Sequence, residues 1–309
     1  MKVVAVGAGA WGRNIVRDLR EMDLLSAVVE VNPKTISELE SLFPGVPVYS
    51  NPEAAYEATE PDAVTVAVPA GLHFEVAAVA LERGFHCFIE KPFTRDVREA
   101  EALVRLAEDK NLTLMAGHLL LHQPAIIFLK KAIDDGMIGE LLSIHAERLN
   151  LGRAQGKESV LWSKGLHDIS VALYLVGEAP DRVVSTGTSS ITPGIEDDVY
   201  VHMEFPSGVM ANLHCSWLWP TLRRRTVVIG TKAMLVYSEV DNKVFLHRKT
   251  VGPDRVAVNG GDELVFEGQG EPLRKELEHF FHCIREKELP RGDGQSAVEV
   301  LRVIEAASR

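Results

Sequence analysis

The chain opens with Lys2-Val3-Val4-Ala5-Val6-Gly7-Ala8-Gly9-Ala10-Trp11-Gly12, an apolar strand-like run that breaks into a glycine loop. Gly7 permits a tight turn after the strand, Gly9 lets backbone approach a ligand closely, and Gly12 allows a following helix to pack against the strand. The helical pattern that follows would direct unpaired N–H groups toward the loop, which suits the pyrophosphate of a dinucleotide. Gly7, Gly9, Ala10, Trp11 and Gly12 are therefore candidate cofactor-binding residues. A glycine turn in a flavodoxin-like domain is the alternative.

Outward from this loop, strand-like runs alternate with helical periodicity. The runs are Lys2–Val6, Ala27–Val31, Ala63–Val68, His86–Glu90 and Leu112–Ala116, with helical patterns such as Leu72–Arg83 and Thr94–Lys110 among them. This rhythm predicts an α/β fold with a doubly wound parallel Rossmann sheet over residues 1–120. After Leu120 the rhythm changes. Helices are expected at Pro124–Asp134 and Leu166–Val176, and a strand at Leu141–Arg148. Then come successive strands at Arg182–Thr186, Val199–Phe205, Val209–Trp217, Arg225–Ile229, Met234–Ser238 and Lys243–His247. Helices at Pro272–Lys287 and Ser296–Ala307 close the chain. Residues 121–309 thus read as an α+β domain on a large, open, mostly antiparallel sheet.

Composition bounds the partners. With 309 residues, 46% of them hydrophobic, the chain can bury a substantial core and is long enough for about two domains. Its 33 Lys+Arg against 44 Asp+Glu leave a formal charge of -11, which disfavours nucleic acid and anionic membranes. No apolar run approaches the length that spans a bilayer, so a cytoplasmic location is expected. Cys87, Cys215 and Cys283 lack metal or redox spacing and read as buried or half-buried thiols. Glu196-Asp197-Asp198 has no His or Cys at ligand spacing and reads as a solvated turn, so no metal site is expected.

Glu30 ends the second strand-like run, 23 residues after Gly7. A carboxylate there can accept hydrogen bonds from an adenosine ribose and repel a 2'-phosphate, favouring NAD over NADP. Lys91 follows the His86–Glu90 strand at the carboxyl edge, where doubly wound sheets place ligands, and Pro92 restricts its backbone to extended geometry. Beside an oxidised nicotinamide, Lys91 could exchange a proton with a substrate hydroxyl; a surface lysine paired with Glu90 is the alternative.

Gly7–Gly12, Glu30-Val31-Asn32-Pro33, Val68-Pro69-Ala70-Gly71-Leu72-His73 and Glu90-Lys91-Pro92 together resemble the Gfo/Idh/MocA dehydrogenases. The resemblance covers essentially the whole chain. It implies an NAD-binding domain followed by an α+β domain whose open sheet mediates homodimers or homotetramers, with substrate held between the domains. It adds Pro69, His73 and Glu90 to the cofactor residues, beside Lys91. In the second domain, the family's aspartate four residues before a histidine maps onto Ser163 and His167. His167 fits and Ser163 replaces the acid, removing a negative charge. The implied chemistry gives hydride to nicotinamide C4 and the hydroxyl proton to Lys91 or His167. Its counter-reading pairs a helix-terminal His167 with Asp168. His73 and His118, each past a strand, are expected to face the cofactor crevice or to be solvated. Asn150, Arg153 and Trp162 join Lys91, His118, Ser163 and His167 as candidate substrate residues, with Trp162 equally readable as core.

Asn150-Leu151-Gly152-Arg153, Leu161-Trp162-Ser163, His167-Asp168-Ile169-Ser170 and Ser216-Trp217-Leu218 further resemble a subgroup acting on nucleotide sugars in surface-polysaccharide metabolism. That implies oxidation of a ring hydroxyl, at C3, of a UDP-linked N-acetylhexosamine or its uronic acid. Arg223, Arg224 and Arg225 read as diphosphate ligands or as solvated edge arginines, with Arg224 sent to the opposite face by strand alternation. The alternation Val209, Ala211, Leu213 suits a buried face at a subunit interface. A free hexose or polyol dehydrogenase, an NAD-dependent glycosidase and a non-catalytic NAD-binding regulator remain alternatives.

Overall fold

A computed structural model describes the chain apart from residues 153–155, 157, 269 and 309. The chain divides into two compact units, Met1–Leu119 with Leu273–Leu301, and Leu120–Pro272 with Arg302–Arg309. The first unit is a doubly wound α/β sheet. Strands β1 (Val3–Val6), β2 (Leu25–Val29), β3 (Val48–Tyr49), β4 (Ala63–Val66), β5 (His86–Glu90) and β6 (Leu114–Gly117) lie in the order β3-β2-β1-β4-β5-β6. All neighbours pair in parallel. Helices α1 (Gly12–Glu21), α2 (Pro33–Leu42), α3 (Pro52–Thr59), α4 (His73–Glu82) and α5 (Val97–Asp109) connect them. The central strands β1 and β4, apolar but for Thr65, are buried throughout, as strands covered on both faces of a parallel sheet must be. The two-residue strand β3 was too short to show a period in the sequence.

In the second unit, α6 (Pro124–Asp134) precedes β7 (Leu141–Leu151), and α7 (Leu166–Val176) follows a π-helical turn at Leu161–Gly165. Then come β8 (Arg182–Thr188), β9 (Asp198–Glu204), β10 (Met210–Ser216), β11 (Leu218–Gly230), β12 (Met234–Ser238), β13 (Lys243–Val251) and β14 (Ala257–Glu267). The order is β14-β13-β12-β11-β7-β10-β9-β8. Every pairing is antiparallel except β7 with β10, where the long connection carrying α7 lets both strands run the same way. Strand β14 was missed in the sequence because Asn259, Gly260, Gly261 and Asp262 break its apolar pattern.

Three expectations need correction. The closing helices do not all belong to the second domain: α8 (Pro272–Glu286) and the start of α9 (Gly294–Ala307) belong to the first unit. Leu273, Leu277, Phe280 and Phe281 of α8 pack into the core with Val3, Ile15, Leu19 and Phe88, and the Phe88 and Phe280 rings sit 5.9 Å apart. Helical periodicity marked this apolar stripe but could not say which sheet it covers. Val209, Ala211 and Leu213 are buried; strand alternation sets this row opposite Met210, so it faces the core of its own unit. Asp197 is not in a solvated turn. It is 1% exposed, and its Oδ2 accepts the Ile191 N–H at 2.6 Å, ordering the loop before β9.

Candidate active site

The glycine loop has the shape its spacing demands. Gly7 adopts φ +92°, and a Cβ there would meet the Ala67 carbonyl oxygen at 2.6 Å; a Cβ on Gly12 would meet the Gly7 carbonyl oxygen at 2.2 Å. Nothing lies within 4 Å of a Cβ built on Gly9. The first and third glycines are thus fixed by packing inside the unit, while the middle one faces open space at the start of α1, as a pyrophosphate cradle requires. Glu30 stands immediately after β2. Its Oε2 accepts the Ala8 N–H at 3.0 Å, and its Oε1 accepts the Val31 and Asn32 N–H groups at 2.8 and 2.9 Å. These bonds hold the carboxylate against the glycine loop and leave one acceptor site, on Oε2, for a ribose.

Glu90 and Lys91 join this loop from β5. The indole N–H of Trp11 donates to Glu90 Oε1, and the Lys91 backbone N–H donates to Oε2 at 3.0 Å. Gly117 of β6 lies close, since a Cβ there would come within 3.2 Å of Glu90. Burial pushes the Glu90 carboxyl up to about 7, against the Trp11 and Lys91 hydrogen bonds that favour its charged form. The Lys91–Pro92 peptide is cis and Lys91 is half-buried. Pro69 is exposed, just past β4.

His73 and His118 are neither open to a crevice nor solvated. His73 is buried, with Nδ1 2.8 Å from the Pro92 carbonyl oxygen and Nε2 2.8 Å from that of Val68. Two carbonyls facing one imidazole favour its protonated form, but burial prevails and lowers its pKa. The ring braces the loop behind Lys91. His118 is 1% exposed, and neither ring nitrogen has a hydrogen-bond partner among the described residues. Burial pushes its pKa down to about 4.

In the second unit, Trp162, Ser163, Lys164 and His167 are half-buried along the π-helical turn and the start of α7. Asp168 turns to the buried side. Its carboxylate accepts from Arg148 Nε at 2.8 Å and Nη2 at 3.0 Å, so it is committed to a guanidinium. Arg148 also reaches Glu239 at 3.0 Å, and Glu239 accepts from Arg224 at 2.9 Å. Arg223 and Arg225 lie on the other face, each paired with Glu147, at 3.3 and 3.1 Å. All three arginines are ion-paired yet exposed, and β12 pairs with β11 only from Arg225 onward, so the reading as solvated arginines stands, with their charge balanced by Glu147 and Glu239.

Asn150 is half-buried on β7, and Lys164 Nζ donates to its Oδ1 and, at 3.1 Å, to the Ser216 carbonyl oxygen. Arg153 lies outside the described residues. The sequence reading passed over Lys164, although it stands between Ser163 and Gly165 in the same stretch as the candidates Trp162, Ser163 and His167.

Comparison with known proteins agrees with this geometry. Residues 1–118 match the oxidoreductase family with an NAD-binding Rossmann fold, and residues 126–236 match the GFO/IDH/MocA C-terminal domain. The chain belongs to the Gfo/Idh/MocA oxidoreductase family. Its first unit is the family's NAD-binding domain, and the open space at Gly9 and the placement of Glu30 fit that cofactor. The chain is 28% identical over 290 residues to UDP-N-acetylglucosamine 3-dehydrogenase of Acidithiobacillus ferrooxidans, covering 92% of this chain and 88% of that one. The solved structure of that enzyme matches with a TM-score of 0.89 at 27% identity, over 100% of this chain and 97% of that one. It is 28% identical over 225 residues to inositol 2-dehydrogenase of Corynebacterium glutamicum, covering 69% and 66%. It is 27% identical over 248 residues to 2,7-anhydro-N-acetylneuraminate hydratase of Escherichia coli, covering 74% and 65%. Among the described residues, no helix is long and apolar enough to cross a membrane.

Proposed function

We propose that this protein is an NAD-dependent dehydrogenase of a sugar ring hydroxyl, acting at C3 of a UDP-linked N-acetylhexosamine or its uronic acid. The observation that carries this reading is the coupling of the glycine loop to Lys91 through the Trp11–Glu90 hydrogen bond. It makes the cofactor cradle and the lysine one rigid constellation, as hydride transfer beside a proton acceptor needs. Gly7, Gly9, Ala10, Trp11, Gly12, Glu30 and Pro69 would hold the dinucleotide, which supplies the hydride acceptor. Lys91 takes the hydroxyl proton, and His167 serves the same transfer as partner or relay, since an imidazole exchanges protons near neutral pH. Ser163, Asn150 and Trp162 contact the sugar. The similarity to UDP-N-acetylglucosamine 3-dehydrogenase along nearly the full length supports the substrate class.

The test is absorbance at the NADH band with NAD and a panel of UDP-N-acetylglucosamine, its uronic acid, free hexoses and inositols. A ketone-trapping aminotransferase draws the equilibrium forward. Signal confined to UDP-sugars is expected; signal only with free polyols would replace the substrate class. One second reading is an NAD-dependent glycosidase, in which a sugar is oxidised transiently at C3 and the NADH formed is consumed again within the cycle. Product formation from catalytic NAD without net NADH would establish it.

We also propose a cytoplasmic homo-oligomer formed through the open face of the second unit's sheet. Tyr200, 53% exposed, stands there with exposed Val184, Met210 and Phe245. A monomer by light scattering at micromolar concentration would refute this.

A further inference from the structure

Lys164 is the one cation of its cluster that no acid pairs among the described residues. Arg148 and Arg224 are balanced by Asp168 and Glu239. Lys164 instead donates to two neutral acceptors, the Asn150 side-chain oxygen and the Ser216 carbonyl. An ammonium carries three donors, so one remains for a ligand. The cluster of Lys164, Arg148 and Arg224 against Asp168 and Glu239 therefore keeps one uncompensated positive charge. It sits half-buried, one turn ahead of His167 and beside Ser163. A surplus charge with reduced access to water is costly unless an anion completes it. Burial, with repulsion from Arg224 and Arg148, pushes the Lys164 pKa down to about 8. The π-helical turn Leu161–Gly165 that carries it is a local distortion of the kind that gathers at functional sites. Ser163 brings no carboxylate that would neutralise this charge or repel an anion.

We propose that Lys164, held by Asn150 and Ser216, is a specificity-determining residue that binds an oxyanion of the substrate, either a sugar carboxylate or a phosphate. A point-charge ammonium with a spare donor accepts either group. For its turnover arm the proposal rests on the dehydrogenase reading above; its binding arm does not.

The experiment compares wild type, Lys164→Met and Lys164→Arg on four ligands: UDP-N-acetylglucosamine, its uronic acid, glucose and glucuronate. Calorimetry in the presence of NADH gives affinity, and NADH formation gives kcat/KM. In wild type the anionic ligands are preferred, and Lys164→Met lowers the preference by about 30-fold, as loss of a charge-assisted contact would. The preference in wild type declines as pH rises past about 8, because the ammonium loses its proton, while Lys164→Arg keeps it to pH 10. A merely structural lysine would not produce that pH response. A loss that follows the carboxylate, whether or not UDP is attached, identifies the sugar acid as the source. A loss that follows UDP identifies the phosphate. Equal affinity changes for all four ligands, or none, overturn the proposal even if NADH still forms. Anion-selective binding without NADH formation would uphold the subsite and remove the dehydrogenase reading.

Discussion

The indole N–H of Trp11, in the glycine loop, donates to the carboxylate of Glu90 at the end of β5. One hydrogen bond thereby ties the cofactor cradle to the residue that precedes Lys91. Trp11→Phe keeps the ring and deletes the donor. The buried Glu90 carboxylate then loses a bond that favours its charged form, and its pKa rises further above about 7. The variant is expected to lose about 1–3 kcal/mol of stability, measured by urea unfolding at pH 8, and to bind NAD several-fold more weakly by calorimetry.

Lys91→Met should lower kcat by about 10³-fold, within the range typical of general acid–base groups. NAD affinity by calorimetry should change little, because the lysine acts on the hydroxyl and the cradle is built from other residues. Retained turnover would remove Lys91 from the chemistry.

Glu276 is 0% exposed, and neither carboxylate oxygen has a hydrogen-bond partner among the described residues. Burial, reinforced by the charge of Glu90, raises its pKa well above the usual carboxylate range. Because folding raises this pKa, its contribution is most favourable below the unfolded value near 4.5 and is lost as pH rises through the folded value. Glu276→Gln cannot ionise. Its urea midpoint should exceed that of wild type at pH 8, and the two should converge near pH 4.5.

His118 gives the opposite sign. Its folded pKa lies about 4, below the ordinary 6.5, so the fold holds it neutral and loses stability as pH falls from 6.5 toward 4. His118→Phe removes a ring with two unsatisfied nitrogens, so it should unfold at higher urea than wild type, with an advantage that grows toward pH 4.

Asp168→Ala leaves the buried Arg148 guanidinium with Glu239 alone. Breaking a buried pair from one side costs about 3–5 kcal/mol, and urea unfolding should show a loss of that order. Replacing both Arg148 and Asp168 by apolar residues should cost less than Asp168→Ala, because no unpaired charge is left behind.

Local physics made the first unit legible. The glycines at 7, 9 and 12, the buried runs of β1 and β4, and Glu30 after β2 each follow from constraints within a few residues. Lys91 became a candidate because Glu90-Lys91-Pro92 sits at a strand end, and His167 because the flanking stretch resembled a family. What the tertiary structure decided was partnership. Periodicity marks the apolar stripe of α8 but not the sheet it covers, so Phe280 and Phe281 packed with Phe88 against expectation. Residue type made Asp168 a candidate partner for His167; the fold also brings Arg148 of β7 to its carboxylate, through two hydrogen bonds. The burial of His73 and His118, and the surplus charge at Lys164, depend on groups far apart in sequence. Desolvation and charge balance are properties of the assembled neighbourhood, and no single stretch of the chain contains them.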